Sequence, residues 1–478
     1  MELQRSVPEL QGVNSKAILD FVEEVEKLRT PDMGQDVHSF MLLRHGYVIA
    51  EGWWEPYDRE LPHVLFSLSK SFTSTAIGFA VQEGLLTVED QVISYFKEEC
   101  PEPSELLSQM KIKHLLSMNT GHNVDTTGYM TERQDGNWVA GFFGVPVEKE
   151  PGTHFLYNTG ATYMLSVIIQ KLTGMKLIDY LTPRLLEPLN ITGARWDECP
   201  RGYNTGGFGL RVKTEDIAKF GQFYLNKGRL GNKQLLSEAW IEDATCKQSD
   251  NSVNGDGDWG QGYGYQFWRC RHNAYRGDGA FGQYCIVMPE YDVVLAITGG
   301  MRDLQKPLEI VWDKLLPGFG DQELPESTDY ELLKKKLSSL KLLMPVGEEH
   351  SSYESKVNGK RYQLESNPFS MEEISGQFHS QALTLTIKAD QKELHYEVGI
   401  GEWKQGTFFF EGKSEPIVFT GIWESEDTLL LQARLIEMPF AFSIRCQFSE
   451  DKLLLSQNLN VGFEDPKPIN INGKLILE

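Results

Sequence analysis

The sequence Phe66-Ser67-Leu68-Ser69-Lys70-Ser71-Phe72-Thr73 gives the strongest indication of what kind of protein this 478-residue chain is. It contains a Ser-x-x-Lys motif, and a helix that begins at Ser67 would place Lys70 one turn further along the same face. Apolar residues at helical spacing follow the motif, and Gly84 is a typical end for such a helix. The start of a helix offers unpaired N–H groups and a positive dipole end, which disfavour a protonated lysine. A lysine with a lowered pKa is a base that can activate a serine hydroxyl.

The Ser-x-x-Lys spacing is not specific by itself. The same spacing recurs at Ser108/Lys111, Ser338/Lys341 and Ser449/Lys452. A single pair of this kind is more typical of an ordinary helix or loop surface than of a catalytic site. Ser67 therefore stands out only if the chain carries partner motifs for it.

The composition is that of an ordinary globular protein with an acidic surface. Hydrophobic residues make up 40% and charged residues 24% of the chain, and 478 residues are too many for one typical core. Two or three domains are expected. The 68 acidic and 46 basic residues give a net charge of −22, which argues against a nucleic-acid or anionic-membrane partner.

Targeting and cysteine signals point to the cytoplasm. The first residues lack the basic and apolar pattern of a signal peptide, and no apolar run is long enough to span a membrane. The six cysteines are scattered without a Cys-x-x-Cys motif, so neither a disulfide framework nor a zinc site is expected. The sequence predicts a cytoplasmic protein with reduced thiols.

The order of the predicted elements suggests two folded units. Strand-like and helical segments at both ends of residues 1–320, with helices between them, predict an antiparallel sheet flanked by helices and carrying a helical insertion. A lysine-rich helical linker is expected over residues 321–345. Residues 346–478 alternate apolar and polar positions between turn residues, which predicts an all-β domain, either a barrel or a sandwich.

Two further stretches could hold partners for Ser67. The turn-rich loop Pro151–Gly160 contains Tyr157, which could exchange a proton with a catalytic serine and lysine or could simply pack against its neighbours. The stretch Tyr275–Gln283 contains three glycines, which let a backbone approach a ligand closely. It could offer the N–H of Ala280 to a developing oxyanion, or it could be a plain hairpin turn.

Together the three stretches resemble the serine β-lactamase and penicillin-binding-protein family, specifically its class C β-lactamase-like branch of esterases, D-aminopeptidases and 6-aminohexanoate-dimer hydrolase. The resemblance covers roughly residues 15–317 and implies the α/β (α+β) fold of that family. Ser67-Leu68-Ser69-Lys70 matches its Ser-x-x-Lys motif. Tyr157-Asn158-Thr159 lies where the family has Tyr-x-Asn, and Gly277-Asp278-Gly279 lies where it has Lys-Thr-Gly or His-x-Gly.

The resemblance implies a role for each matched residue. Ser67 would be the acylated nucleophile, and Lys70 and Tyr157 would share the general-base work, with Tyr157 protonating the leaving group. The N–H groups of Ser67 and Ala280 would form the oxyanion hole, and Gly279 would lie beside them in the substrate-binding strand. Neither a metal nor a cofactor is implied.

Two departures from the family pattern bear on the substrate. Thr159 replaces an asparagine that contacts the substrate amide and the lysine, and a threonine lacks the paired donor and acceptor of an amide. Gly277 replaces a cation that holds the carboxylate of penicillins and peptides, which leaves a gap without charge. Arg276 is adjacent, but neighbouring strand residues point to opposite faces, so we do not expect it to substitute.

These observations predict a serine hydrolase that cleaves a small ester or amide. A D-amino-acid peptidase or a β-lactamase remains an alternative within the same enzyme class, and a ligand-binding pseudoenzyme is an alternative outside it. The β domain resembles the lipocalin-like barrels attached to some members of the family. It could shape the cleft, mediate a homo-oligomer, bind a ligand or have a purely structural role.

Overall fold

The computed structural model describes residues 1–29, 35–410 and 412–477. Its helices are α1 Ser15–Glu26, α2 Ser69–Gln82, α3 Glu105–Ser108, α4 Ile112–Leu116, α5 Thr127–Thr131, α6 Trp138–Gly144, α7 Thr159–Thr173, α8 Leu177–Leu181, α9 Thr214–Leu225, α10 Glu238–Thr245, α11 Gln305–Ile310, α12 Thr328–Leu337 and α13 Glu354–Val357. Among the described residues, no helix is both long and apolar enough to cross a membrane.

The strands fall into two large sheets and two small ones. The strands of the first 300 residues are β1 Gln4–Arg5, β2 Asp36–Arg44, β3 Tyr47–Trp53, β4 His63–Val64, β5 Arg195–Trp196, β6 Leu210–Val212, β7 Arg229–Leu230, β8 Lys233–Gln234, β9 Trp268–Arg269, β10 Tyr275–Gly279, β11 Gln283–Met288 and β12 Val293–Gly300. The later strands are β13 Arg361–Leu364, β14 Met371–Phe378, β15 Ala382–Ala389, β16 Lys392–Ile400, β17 Lys404–Phe410, β18 Lys413–Ser425, β19 Thr428–Leu435, β20 Ala441–Ser449, β21 Lys452–Leu459 and β22 Ile469–Leu475.

The first large sheet joins strands from both ends of the first 300 residues, in the order β1-β3-β2-β12-β11-β10-β9. This confirms the architecture expected from the sequence. Successive residues along a strand face opposite sides of the sheet, so alternate side chains pack into two different cores. Met41 and Leu43 face the core shared with α2 and α9, whereas Phe40 and Leu42 face the core shared with α1.

The second large sheet is a closed barrel. Nine strands form the ring, which closes where Gly399 and Ile400 of β16 pair in parallel with Thr420 and Gly421 of β18, and β17 pairs with β18 beyond that point. Closure removes the unpaired edges that an open sheet would expose. Apolar side chains fill the interior, and the cavity among them measures about 30 Å³. The interior is therefore a packed core rather than a ligand-binding calyx.

Buried ion pairs fix the barrel to the unit that contains the first large sheet. Arg211 of β6 donates to both carboxylate oxygens of Glu415, at 2.5 and 2.6 Å, and also to Glu437 at 3.1 Å. A second buried pair joins Arg434 of the barrel to Asp36 of β2 at 2.9 Å. The domain boundaries at residues 320 and 345 stay a prediction.

We expect Arg211→Ala to destabilise the protein by about 3–5 kcal/mol, because it leaves the buried Glu415 carboxylate without a partner, although Glu437 keeps its ion pair with Arg195. The matched control is Lys413→Ala, which removes an ion pair with Asp197 whose lysine side chain is about half exposed and should cost no more than about 1 kcal/mol. Urea unfolding followed by tryptophan fluorescence measures both variants. Equal effects of the two substitutions would contradict the account of the interface.

Candidate active site

Ser67 and Lys70 meet at the start of α2. Ser67 lies in a 3-10 turn, Phe66–Leu68, and Lys70 lies in the first turn of the α-helix that follows. Three residues of helical chain bring the two side chains to the same face. The Lys70 ammonium donates to Ser67 Oγ at 2.9 Å and to the carbonyl oxygen of Gly207 at 2.8 Å.

Burial makes Lys70 a base. Its side chain is almost fully buried, and loss of hydration lowers its pKa to about 7. The carboxylates of Asp125 and Asp278 act in the opposite direction and keep the pKa from falling further. The neutral form of Lys70 is therefore accessible near neutral pH, and a neutral amine beside Ser67 Oγ can accept its proton.

Tyr157 lies against the same pair of side chains. It precedes α7, whose first N–H groups are capped by Asn158, since the Asn158 side chain accepts from the N–H of Gly160 at 3.1 Å. The Tyr157 ring centroid is 4.9 Å from Lys70 Nζ, so the tyrosine lies beside the lysine that contacts Ser67. Burial, reinforced by Asp278, raises the pKa of Tyr157 well above its usual value, so this hydroxyl keeps its proton.

The backbone of β10 closes the site from the other side. A Cβ atom on Gly279 would lie 2.0 Å from the carbonyl oxygen of Leu65. Only glycine at this position therefore allows the strand to come so close to the Ser67 turn. Ala280 follows directly, and among the described residues no acceptor is found for its N–H group. This arrangement suits an oxyanion hole made from the N–H groups of Ser67 and Ala280.

A family model described as Beta-lactamase matches residues 29–299, which is more than half of the 478 residues. The chain belongs to the β-lactamase family. Members of this family are hydrolases.

Three similar proteins illustrate this family's range. The 6-aminohexanoate-dimer hydrolase of Paenarthrobacter ureafaciens is 22% identical over 294 residues, which are 56% of this chain and 74% of that protein. The octameric penicillin-binding protein homologue from Pyrococcus abyssi is 18% identical with a TM-score of 0.51, over 96% of this chain and 99% of that one. A family VIII carboxylesterase is 15% identical with a TM-score of 0.51, over 67% of this chain and all of that one.

The gap that the sequence suggested at Gly277 is already filled. A Cβ atom at this position would lie 2.4 Å from Leu68 Cδ1 and 2.6 Å from Ser71 Oγ. Gly277 is therefore a point of close packing between β10 and α2. A lysine or histidine, which the β-lactamase family has here, would need both neighbours to move.

The Gly207 carbonyl gives Lys70 an acceptor that the resemblance would place on the side chain of residue 159. Thr159, which stands at that position, packs against Gly207, and a Cβ on Gly207 would lie 2.7 Å from Thr159 Cγ2. The Thr159 N–H donates to Asp125 at 3.2 Å. Lys70 thus obtains its second acceptor from the backbone of Gly207 rather than from the side chain of residue 159.

Asp278 is the charged residue whose importance sequence reasoning missed. It is buried on β10 and accepts from Arg276 Nε at 2.6 Å. Arg276 is also held by the Asp258 carbonyl at 2.7 Å and by the face of Trp259, 4.4 Å away. The period of two along a strand places residues 276 and 278 on one face, and this signal would have found the pair.

The remaining candidate groups are the cysteines and the possible metal ligands. The six cysteines are free thiols. Among the residues that the structure describes, no group of three or more His, Cys, Asp and Glu side chains is arranged to hold a metal ion.

The reaction of Ser67 with a fluorophosphonate should accelerate as pH rises through about 7, because the neutral form of Lys70 is the base. Asp125→Asn removes a carboxylate that raises the pKa of Lys70, so it should move this rise to lower pH. Asp179→Asn, on the exposed side of α8, is the matched control and should leave the profile in place. A rise that moves to higher pH in Asp125→Asn would contradict the electrostatic account.

Proposed function

We propose that this protein is a serine hydrolase that cleaves small uncharged esters or amides through an acyl-enzyme on Ser67. The observation that carries the proposal is the 2.9 Å contact between Lys70 Nζ and Ser67 Oγ, made by a lysine whose pKa lies near 7. A lysine that stays charged at neutral pH could not take the serine proton. Perturbed pKa values of this kind are concentrated at functional sites.

In the acylation step, neutral Lys70 accepts the proton of Ser67 Oγ while the oxygen attacks the substrate carbonyl carbon. The N–H groups of Ser67 and Ala280 stabilise the oxyanion that forms. Tyr157 retains its proton because of its raised pKa, and it gives this proton to the leaving group as the bond to the carbonyl carbon breaks. The Lys70 ammonium then returns a proton to Tyr157.

Deacylation follows the same path with water as the nucleophile. Neutral Lys70, assisted by Tyr157, accepts a proton from the attacking water, and the acyl group leaves as the acid. The proton goes back to Ser67 Oγ when the bond to the carbonyl carbon breaks. The enzyme then returns to its starting state without a net change in its own protonation.

The charges around the site favour uncharged substrates. Asp125 and Asp278 both act electrostatically on Lys70, and Arg276 is already paired with Asp278. A substrate carboxylate would therefore meet the negative charge of Asp125, while Arg276, which is neutralised by Asp278, offers it no free positive charge. This disfavours the alternative of a β-lactamase or a peptidase that recognises a free carboxylate.

The names of similar proteins support an ester or amide as the substrate, but they do not support its lack of charge, because the 6-aminohexanoate dimer itself ends in a carboxylate. They include a hydrolase of the 6-aminohexanoate dimer and a carboxylesterase. A pseudoenzyme is the less favoured alternative, because Ser67, Lys70 and Tyr157 are all present and in contact. A homo-oligomer is a further proposal, suggested by the octameric neighbour and testable by light scattering.

Ser67→Ala should reduce hydrolysis of p-nitrophenyl acetate by on the order of a million-fold, since loss of a triad-type nucleophile has that effect. The matched control is Ser108→Ala, which changes the serine of a second Ser-x-x-Lys motif and should leave the rate unchanged. Circular dichroism checks that both variants are folded. Activity of Ser67→Ala within tenfold of the wild type would refute the assignment.

Asp278→Asn should improve the hydrolysis of carboxylate-bearing esters relative to neutral ones by about tenfold or more. The reason is that one unit charge in a partly desolvated site changes the energy of a nearby charge by roughly 1–4 kcal/mol. The measurement is kcat/KM for a matched pair of esters, with Asp179→Asn as the control. The account of specificity fails if the ratio is unchanged, or if the wild type already prefers the carboxylate-bearing ester.

A further inference from the structure

Two barrel phenylalanines pack directly against the candidate active site. Phe440 and Phe463 contact Phe66, which precedes Ser67, with ring centroids 6.2 and 5.9 Å apart. The same two rings lie 5.7 and 5.1 Å from Phe281, which follows Ala280. Phe66 and Phe281 also contact each other edge to face at 5.3 Å. We call these four residues the aromatic bridge.

The aromatic bridge supports unusual backbone on both sides of the site. Phe66 and Phe281 have positive φ angles of 45° and 65°, which bulky residues rarely adopt. Such conformations persist where surrounding contacts enforce them, and they are concentrated at functional sites. Here the barrel supplies part of those contacts, so the positions of Ser67 and Ala280 depend on it.

A cavity of about 290 Å³ lies beside this bridge. Its walls come from both units and consist of Ala280, Phe281, Met301, Arg302, Leu304 and the barrel segment 462–466. Phe463 remains 80% exposed although its ring contacts Phe66 and Phe281. Arg302 and Asp465, 3.9 Å apart, give the cavity a charged rim. An apolar floor next to an oxyanion donor suits the apolar part of a substrate.

The position of Tyr157 indicates which part of the substrate would lie in the cavity beside the aromatic bridge. Tyr157 stacks on Trp268 at 5.3 Å and contacts Tyr263 at 6.1 Å, and neither ring belongs to the aromatic bridge. If Tyr157 protonates the leaving group, the leaving group lies on the side of Trp268 and Tyr263. The acyl group then extends from the carbonyl carbon towards Phe281 and Phe463.

We propose that the barrel forms one wall of an acyl-binding subsite that accepts linear apolar acyl groups, and that Phe463 determines the preference for acyl-chain length. This inference rests on the proposed function, since it places the acyl group of the Ser67 reaction. The segment that carries Phe463 is fixed to the first unit, because Arg302 Nε donates to the carbonyl oxygen of Asn460 at 2.6 Å.

The test compares p-nitrophenyl acetate with p-nitrophenyl hexanoate, whose acyl group is four methylenes longer. Each buried methylene should raise kcat/KM by about fourfold, so the wild type should prefer hexanoate by at least about tenfold if half of them reach the cavity. Phe463→Ala should remove most of this preference, so that the ratio of kcat/KM for hexanoate to kcat/KM for acetate falls to about twofold or less, whatever the absolute rate on acetate becomes. Phe463→Leu, which keeps an apolar side chain, should retain part of the preference.

The matched control is Phe409→Ala on the outer face of the barrel, where Phe409 is 67% exposed. It should leave the preference for hexanoate unchanged, and thermal unfolding checks that all variants are folded. A hexanoate preference that persists in Phe463→Ala, or is absent from the wild type, would overturn the subsite but leave the proposed function intact. A wild type whose Ser67 reacts with neither ester nor with short- or long-chain alkyl fluorophosphonates would overturn both.

Discussion

The close approach of one strand to the start of one helix is the constraint on which the site depends. Gly277 and Gly279 lie so near Leu65, Leu68 and Ser71 that a side chain at either position would meet them at 2.0–2.6 Å. Glycine at both positions lets β10 pack directly on the Ser67 turn. Ala280 follows Gly279 at the end of this strand, and Lys70 is enclosed away from water.

Burial of Lys70 disfavours its charged form, and this is the effect that lowers its pKa. A shift of the Lys70 pKa from 10.5 to about 7 corresponds to roughly 5 kcal/mol against the charged form. The contacts with Ser67 Oγ and the Gly207 carbonyl satisfy the amine, and Asp125 and Asp278 limit the shift. Stronger burial would make Lys70 too weak a base, and full hydration would leave it protonated, so the site lies between these two limits.

The barrel extends this arrangement beyond the first unit. Its buried ion pairs with Arg211 and Asp36 fix it beside the sheet, and its phenylalanines pack on the residues next to Ser67 and Ala280. The barrel interior is filled, so whatever it contributes to binding comes from its outer surface and loops.

The sequence predicted the features that local pattern determines. Apolar side chains fill the strands Gln283–Met288 and Thr428–Leu435, so the local pattern alone predicts both. In strand Met371–Phe378 the acidic residues and the glycine hide the alternation, and pairing with its neighbours in the barrel makes it a strand.

At the site, Ser67, Lys70 and Tyr157 lie close together, and the catalytic roles that the resemblance implies for them stay predictions. The packing at Gly277, the Gly207 acceptor and the Asp278–Arg276 pair depend on contacts between distant segments, which no single motif encodes.

The central claim is that the pKa of Lys70 lies near 7, so that Lys70 can act as a base at neutral pH, and NMR tests it most directly. The protein would be labelled with [¹³C]lysine, and the Lys70 Cε signal would be assigned by its loss in Lys70→Arg. Its chemical shift would then be followed from pH 5 to pH 11. The account predicts a titration midpoint near pH 7. A Lys70 that remains protonated above pH 9 would contradict it.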